Sequence, residues 1–255
     1  MSQIIHPLPR AGESAPAPQP SRHEATRGLP CRVCPVYHQT ICAQLSSDEL
    51  ARLAAIKSTV RYGRGREIFE QGDPAESLYN VLSGVVRAYR VLPDGRRQIT
   101  GFLYPGDFIG LAHEQAYAYS TEAVTPIALC RYPARGFHDL CQRMPRLEST
   151  LLRVAAHELS QAQERMLVLG KKRAHERVAS FLLALAERAE AVGEPSDVVW
   201  LPMNRGDLAD YLGLAMETAS RAMSVFARRG LIEEASRHHI RLLDRHELAA
   251  MAEAA

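Results

Sequence analysis

The sequence predicts an α+β protein in which a jelly roll or barrel of short strands precedes a long helix and a winged helix–turn–helix. Three observations carry this prediction. Short β-rich runs punctuated by glycine fill residues 58–133, an apolar stripe at helical spacing follows at 145–169, and two short helices meeting at a glycine lie near the C-terminus. We therefore assign 31–144 to a loop and β-roll, 145–170 to a long helix and 171–255 to a C-terminal domain.

Composition is that of a globular protein. The 255 residues, 46% hydrophobic and 24% charged, suffice for two modest domains, and the net charge of +2 says little about partners. No apolar run approaches the roughly 18 residues that cross a bilayer, and the N-terminus lacks a secretory signal. We expect a cytoplasmic protein without a membrane partner. Residues 1–30, rich in proline with serine, alanine and glycine between, predict a disordered tail.

A short helix is predicted ahead of the strands. In SSDELARLAAIKS, Ser46 or Ser47 can cap the first turn, and Glu49 gives a capping-box-like start. Within the strands, the turn at Asp94-Gly95 predicts a hairpin between VVRAYR and QITGFL.

The long helix carries one apolar stripe at steps of three and four residues: Leu151, Ala155, Leu159, Ala162, Met166 and Leu169. Two interpretations are open. The stripe packs on its own domain, or it pairs with its copy in a homodimer, where Ala155 and Ala162 permit close approach. We favour the homodimer.

In the C-terminal domain, two helical patterns that each end at a glycine predict a helix–turn–helix. RGDLADYLG predicts a first helix that ends at Gly213, and LAMETASRAMSVFARRG predicts a second that stops at Gly230. PSDVVWLPM predicts a short strand or extended link, and LIEEASRHHIRLL alternates like a two-stranded wing. The second helix should bury its small and apolar positions, Ala219, Ala222, Met223 and Phe226.

One face of that second helix suits DNA. Glu217, Ser220 and Arg221 share a face in its N-terminal half, the part that enters the major groove in this motif. Arginine can bond bidentately to a guanine edge, and glutamate can accept from the amino group of cytosine. Phosphate contacts are predicted for three more side chains, Thr218, Ser224 and Arg228. The alternative is that Glu217 and Arg221 form an ordinary surface ion pair.

The chain has five cysteines, which is an odd number, and the first three are close together in sequence: Cys31, Cys34, Cys42, Cys130 and Cys141. A secreted disulfide framework is more often even and evenly spread, so we expect reduced thiols that are available for metal. Spacing alone leaves two sites open, a four-cysteine zinc site and an iron–sulfur cluster. His38 is a possible substitute ligand, although a solvated loop residue is the simpler interpretation.

Taken together, these features resemble the Crp/Fnr family of bacterial transcription regulators over residues 31–245. The resemblance lies in EIFEQGDPAESLYNVLSGVVRAY and GRRQITGFLYPGDFIG of the β-roll, and in the Glu-x-x-Ser-Arg pattern of RGDLADYLGLAMETASRAMSVF. It implies a cyclic-nucleotide-binding-like β-roll, a dimerisation helix, and a symmetric dimer on palindromic TTGA…TCAA operators in double-stranded DNA. It also implies that the hairpin around Asp94-Gly95 contacts RNA polymerase.

The cysteine pattern is similar to the oxygen-sensing Fnr type, in its FnrL, FnrN and AadR-like variant. That resemblance implies a labile [4Fe–4S] cluster held by Cys31, Cys34, Cys42 and Cys130, which controls dimerisation and low-oxygen genes. Some such relatives carry an acidic residue in the dimer helix, and here Ala162 stands in its place.

Cyclic AMP is disfavoured as the signal. Relatives that bind it carry glutamate after a glycine, where this chain has Leu111 after Gly110, and no lysine or arginine lies between Arg97 and Arg131. A cyclic phosphodiester would meet no cationic side chain in that segment.

Alternative functions remain. A Crp-like regulator with a structural zinc site, or one that answers another redox signal, would bind DNA independently of oxygen. An electron-transfer protein would have no use for Glu217, Ser220 and Arg221. No nucleophile–base constellation, GxGxxG or Walker loop points to an enzyme. Cys141 has no counterpart in the family pattern, and we expect it to be a buried small apolar residue.

Overall fold

The computed structural model describes residues 31–111 and 115–253. The predicted disordered tail, residues 1–30, lies outside that part of the chain. Within it, α and β elements follow in the predicted order, which confirms the α+β fold class. None of the helices in these two ranges is long and apolar enough to span a membrane.

In the described part of the chain, eight antiparallel strands form the β-roll. They are β1 (Ser58–Tyr62), β2 (Glu67–Phe69), β3 (Ser77–Ser83), β4 (Val86–Val91), β5 (Arg97–Leu103), β6 (Phe108–Ile109), β7 (Ser120–Ala123) and β8 (Ile127–Pro133). They pair as two four-stranded sheets, in the orders β1-β8-β3-β6 and β2-β7-β4-β5. The predicted hairpin is confirmed, since β4 and β5 are paired neighbours joined through Asp94-Gly95.

The turn from β3 to β4 shows why the strand region needs glycine. Gly84 has φ +80°, in the left-handed region that side chains disfavour, and an added Cβ would lie 2.3 Å from the carbonyl oxygen of Pro126. The close approach lets β3 pass into β4 beside the loop that precedes β8. The core between the two sheets includes Val81, Ile109 and Leu129, each of which is fully buried.

Two short helices flank the roll. Helix α1 (Ser47–Ile56) has the predicted capping box: the Glu49 amide donates to the Ser46 hydroxyl, and the Ser46 amide donates to the Glu49 carboxylate. Helix α2 (Ala134–Arg143) follows β8 directly and buries Phe137.

Helix α3 (Pro145–Lys171) is the predicted long helix, at 27 residues. Its first turns are anchored, because Leu147 is fully buried and Leu151 and Val154 pack on the apolar cluster beneath α2. Further along, large apolar side chains face outward, uncovered within the single chain: Leu152, Leu159, Met166 and Leu167.

The C-terminal domain comprises α4 (Ala174–Ala191), β9 (Val198–Trp200), α5 (Arg205–Leu212), α6 (Met216–Arg228), β10 (Ile232–Ser236), β11 (His239–Leu242) and α7 (Arg245–Glu253). The two-stranded wing expected from the sequence is incomplete. The wing is a three-stranded antiparallel sheet, β10-β11-β9, because Trp200 and Val199 pair with His239 and Ile240. A three-residue strand distant in sequence gives no local signal of that partner.

Candidate DNA interface and cysteine site

Helix α5 is the first helix of the helix–turn–helix. Asn204 caps it by accepting a 2.8 Å hydrogen bond from the Asp207 amide. It ends at Gly213, which has φ 60° and ψ 43°, a left-handed conformation that glycine adopts without strain. The chain then enters α6 at Met216, so the predicted turn at Gly213 is confirmed, with the second helix beginning two residues later than its sequence pattern suggested.

Helix α6 buries the predicted face, namely Ala219, Ala222, Met223 and Phe226. The opposite face therefore points away from the domain core. On it, Glu217 and Arg221 are exposed and Thr218 and Ser220 are half-buried. We call these four residues the reading face.

The two charged side chains of the reading face are not engaged by other described residues of the chain. In residues 31–111 and 115–253, no ion pair or side-chain hydrogen bond engages Glu217 or Arg221, so the alternative of a surface pair between them is not realised. Ser224 differs, because its hydroxyl donates a 3.0 Å hydrogen bond to the Ser220 carbonyl. Its proton is thus directed to the helix backbone and away from a phosphate.

A shallow groove separates α6 from the wing. Its polar lining comes from Arg205, Ser220, Ser224 and Glu234. The groove therefore continues the reading face toward β10 and β11.

The N-terminal segment forms three short 3-10 turns, Cys31–Val33, Tyr37–Gln39 and Ile41–Gln44. Cys31 lies on the first turn, Cys34 directly after it, and Cys42 on the third. Cys31 and Cys34 are half-buried, whereas Cys42 and Cys130 are buried. Cys130 lies on β8, and it joins Cys42 in the same apolar cluster, to which the first turns of α3 also contribute. All five cysteines are free thiols.

The thiols of Cys31, Cys42 and Cys130 influence one another electrostatically. Burial is the main cause that raises the pKa of Cys130 to about 11; the neighbouring Cys42 and Cys31 act in the same direction, and Tyr132 and Lys57 oppose it. Burial also raises the pKa of Cys42, the Thr40 hydroxyl opposes this, and Cys31 and Cys34 add to the rise. The structure thus places Cys130 of β8 in one apolar cluster with Cys42 and Cys31 of the N-terminal segment, and Cys34 is not part of that cluster. No set of three or more metal-binding side chains in the described ranges is arranged to hold a metal ion.

Two neighbours of the thiols escaped the sequence analysis. The Tyr132 hydroxyl lowers the pKa of both Cys42 and Cys130 against the larger effect of burial, and Lys57 does the same for Cys31 and Cys130. Tyr132 stands two residues after Cys130 on β8, hence on the same face of the strand, and that spacing was a usable signal. Lys57 follows α1 and gave none.

Cys141 packs at the edge of the same apolar cluster, without another thiol among the groups that shift its pKa, and His38 lies outside that cluster. Cys141 lies on α2 and is half-buried, less buried than the sequence suggested, because its helix turns one side to solvent. Burial raises its pKa to about 11, and the neighbouring charge is that of Glu148 on α3. His38 is exposed and touches the Tyr37 ring edge-on, with centroids 5.0 Å apart, as a solvated loop residue does.

Aromatic side chains fill the interior of the β-roll. Phe69 stacks on Tyr117 with centroids 3.6 Å apart, and Tyr79 and Tyr119 pack around the same ring. The Tyr117 hydroxyl donates to the Ser77 carbonyl at 2.6 Å, which holds this packing in place.

Comparison with known proteins decides the family. A model of the cyclic nucleotide-binding domain matches residues 59–144, and a model of the Crp-like helix-turn-helix domain matches residues 176–251. The chain belongs to the Crp/Fnr family of transcription regulators. It is accordingly a DNA-binding regulator, and α6 is the recognition helix of its helix–turn–helix.

Relatives and solved structures agree with the assignment. The chain is 40% identical to the nitrogen fixation regulation protein FixK of Bradyrhizobium diazoefficiens, over 79% of this chain and 85% of that one. It is 35% identical to the transcriptional activator protein FnrL of Cereibacter sphaeroides, over 84% and 88%. The structure of FixK2 from Bradyrhizobium japonicum superposes with a TM-score of 0.73 at 34% identity, covering 78% of this chain and 99% of that one.

Proposed function

We propose that this Crp/Fnr-family protein is an oxygen-responsive transcription activator. Cys31, Cys34, Cys42 and Cys130 hold a [4Fe–4S] cluster, and a homodimer paired through α3 binds TTGA…TCAA palindromes. One observation carries the proposal: Cys42 and Cys130, from two separate segments, are buried in one apolar cluster with Cys31 at its edge, where the first turns of α3 also pack. The activating role is suggested by relatives that are named transcriptional activators.

The donor set fits such a cluster. Four thiolates are the ligands of a cubane cluster, and a cluster held by Cys31, Cys34, Cys42 and Cys130 would supply an iron–sulfide core that oxygen can oxidise. Without metal, burial keeps the thiols of Cys42 and Cys130 protonated, so binding must release protons. Lys57 supplies positive charge beside Cys31 and Cys130, which favours their thiolate forms.

The chain's own packing links this site to dimerisation. Ile41 and Leu45 are buried on either side of Cys42, in the apolar cluster that includes Leu147 and Leu151 of α3. Holding Cys42 to Cys130 fixes the segment against the start of α3. Its release withdraws that support, and the equilibrium shifts away from the paired helices.

Dimerisation places two copies of α6 one helical turn apart on DNA. In each half-site, Arg221 bonds a guanine edge and Glu217 accepts from a cytosine amino group. Ser220 completes base contact on the same face, and Thr218 contacts phosphate.

The β-roll takes no cyclic AMP in this proposal. Stacked Phe69 and Tyr117 fill the space between the sheets, and the segment from Gly110 to Ala123 offers no lysine or arginine for a cyclic phosphate. The β4–β5 turn is proposed to contact RNA polymerase, since Val91 and Leu92 at its tip are exposed apolar residues.

The test is anaerobic purification followed by iron and sulfide analysis and DNA binding to a TTGA…TCAA duplex, before and after exposure to air. We expect about four irons per chain, and binding that air abolishes. Cys130→Ser should lose both the iron and the binding, whereas the matched variant Cys141→Ser should keep them. A colourless protein that contains zinc and binds DNA equally in air supports the alternative, a Crp-like regulator with a structural zinc site.

A further inference from the structure

The β-roll contacts the helix–turn–helix at α5, and these contacts lie away from the reading face. Three side chains of the β4–β5 hairpin, Arg87, Arg97 and Gln98, contact α5, chiefly at Asp207 and Asp210. We call these five residues the clasp. It joins the sensory half of the chain to the DNA-binding half.

The clasp centres on a buried carboxylate. Asp207 is 2% exposed, and its Oδ1 accepts from Arg87 at 2.7 Å and from Arg97 at 2.8 Å. Arg87 also pairs with Glu122 of β7 at 2.7 Å, which fixes the guanidinium to the sheet. A buried charge persists only where it is paired, so these contacts hold the first turn of α5 at one place on the sheet.

The clasp also holds the last turn of α5. Arg97 donates two hydrogen bonds to Asp210 Oδ2, one from Nε at 3.0 Å and one from Nη2 at 2.7 Å. The Gln98 amide donates to the Asp210 carbonyl. Beside it, the rings of Phe102 on β5 and Tyr211 on α5 lie 5.3 Å apart. Contacts at both ends of a short helix set its direction as well as its position.

The direction of α5 sets that of α6. The two helices contribute Leu208, Leu212 and Met223 to one buried apolar cluster across the Gly213 turn, so the position of α5 constrains that of α6. None of the clasp contacts involves Glu217 or Arg221. The clasp thus orients the reading face and leaves it open.

We propose that the clasp is a positioning element for DNA binding, which holds each recognition helix at the angle that lets both copies in a dimer enter successive major grooves. Arg97 and Asp210 are its adjustable pair, because they are 30% and 34% exposed and tolerate replacement better than Asp207. The inference rests on DNA binding alone and is independent of the metal that the cysteines hold.

The experiment compares Arg97→Gln with Arg96→Gln in the full-length, anaerobically purified protein. Both remove one positive charge from the same hairpin, but among the described residues the Arg96 side chain pairs with Asp94 beside it and not with α5, and it is 77% exposed, so it is a matched control. DNA affinity is measured on the dimer, with dimerisation and iron content determined separately. We expect Arg97→Gln to bind DNA about 5- to 30-fold more weakly than Arg96→Gln, with dimerisation and iron unchanged. Arg97→Lys should recover part of the loss.

A double-variant cycle separates positioning from charge. Asp210→Asn alone removes a negative charge, which by general electrostatics strengthens attraction to DNA, opposite in sign to Arg97→Gln, so weaker DNA binding in Asp210→Asn reports the lost contact. A shared contact does not add, so the combined variant should bind little worse than Arg97→Gln alone. Additive effects, an affinity equal to that of Arg96→Gln, or a lowered melting temperature with DNA affinity intact would each overturn the proposal. Tighter binding in Arg97→Gln would also overturn it, because the clasp would then be inhibitory.

Discussion

Dimer formation through α3 yields the prediction that the structure defines most sharply. The perturbation is Leu159→Ala, on the predicted stripe, where the leucine is 60% exposed in the single chain. The change removes about three carbons, each worth about 0.8 kcal/mol when buried, and 60% of that gives about 1.4 kcal/mol per chain. A symmetric interface contains the residue twice, so the dimer loses about 3 kcal/mol, or roughly 100-fold in its dissociation constant.

The assay is sedimentation equilibrium of the anaerobically purified protein over a concentration series. Leu167→Ala is the matched control, because Leu167 is 58% exposed on the same helix and lies about 80° around it from Leu159. Both changes should leave the free energy of unfolding of the monomer within about 0.5 kcal/mol, as expected of exposed positions. Unchanged association in Leu159→Ala, together with weakened association in Leu167→Ala, would refute the assignment of the dimer face.

Three further predictions follow from the same structure. Phe226→Ala empties a fully buried site under the recognition helix and should cost about 3–5 kcal/mol in the free energy of unfolding, measured by urea denaturation. Gly84→Ala forces a side chain to φ +80° against the Pro126 carbonyl and should cost about 1–3 kcal/mol in the same assay, whereas Gly95→Ala, with open space around it, should cost less. Arg221→Gln should weaken binding to the intact palindrome by about 1–3 kcal/mol while leaving non-specific binding nearly unchanged, measured by fluorescence anisotropy on matched and guanine-substituted duplexes. A uniform loss on both duplexes would instead make Arg221 a phosphate contact.

Local patterns predicted most of the secondary structure. The capping box at Ser46 and Glu49, the hairpin at Asp94-Gly95 and the buried face of α6 each depend on residues a few positions apart. Such signals are complete within one element, because a helix or a hairpin satisfies its own backbone hydrogen bonds. The strand β9 lies in PSDVVWLPM, which predicted a short strand or extended link, but its pairing with β11 was not predicted, since β9 finds its partner only across the folded domain.

In the candidate site, too, spacing predicted some of the residues and left others unpredicted. Spacing placed Glu217, Ser220 and Arg221 on one outward face, and it singled out the cysteines as a set. It did not predict Tyr132 or Lys57 beside the thiols, because those contacts depend on how the N-terminal turns dock on β8.

The sequence by itself determined the order of elements and which side chains share the outward face of α6, since periodicity and motif spacing are properties of neighbours in the chain, and its motifs carried the resemblance to the family. Only the tertiary structure decided that Cys130 meets Cys42 and that Asp207 lies between Arg87 and Arg97. The physical reason is common to both. A buried thiol or carboxylate acquires its electrostatic partners from other segments, and which segments approach is fixed by packing of the whole chain.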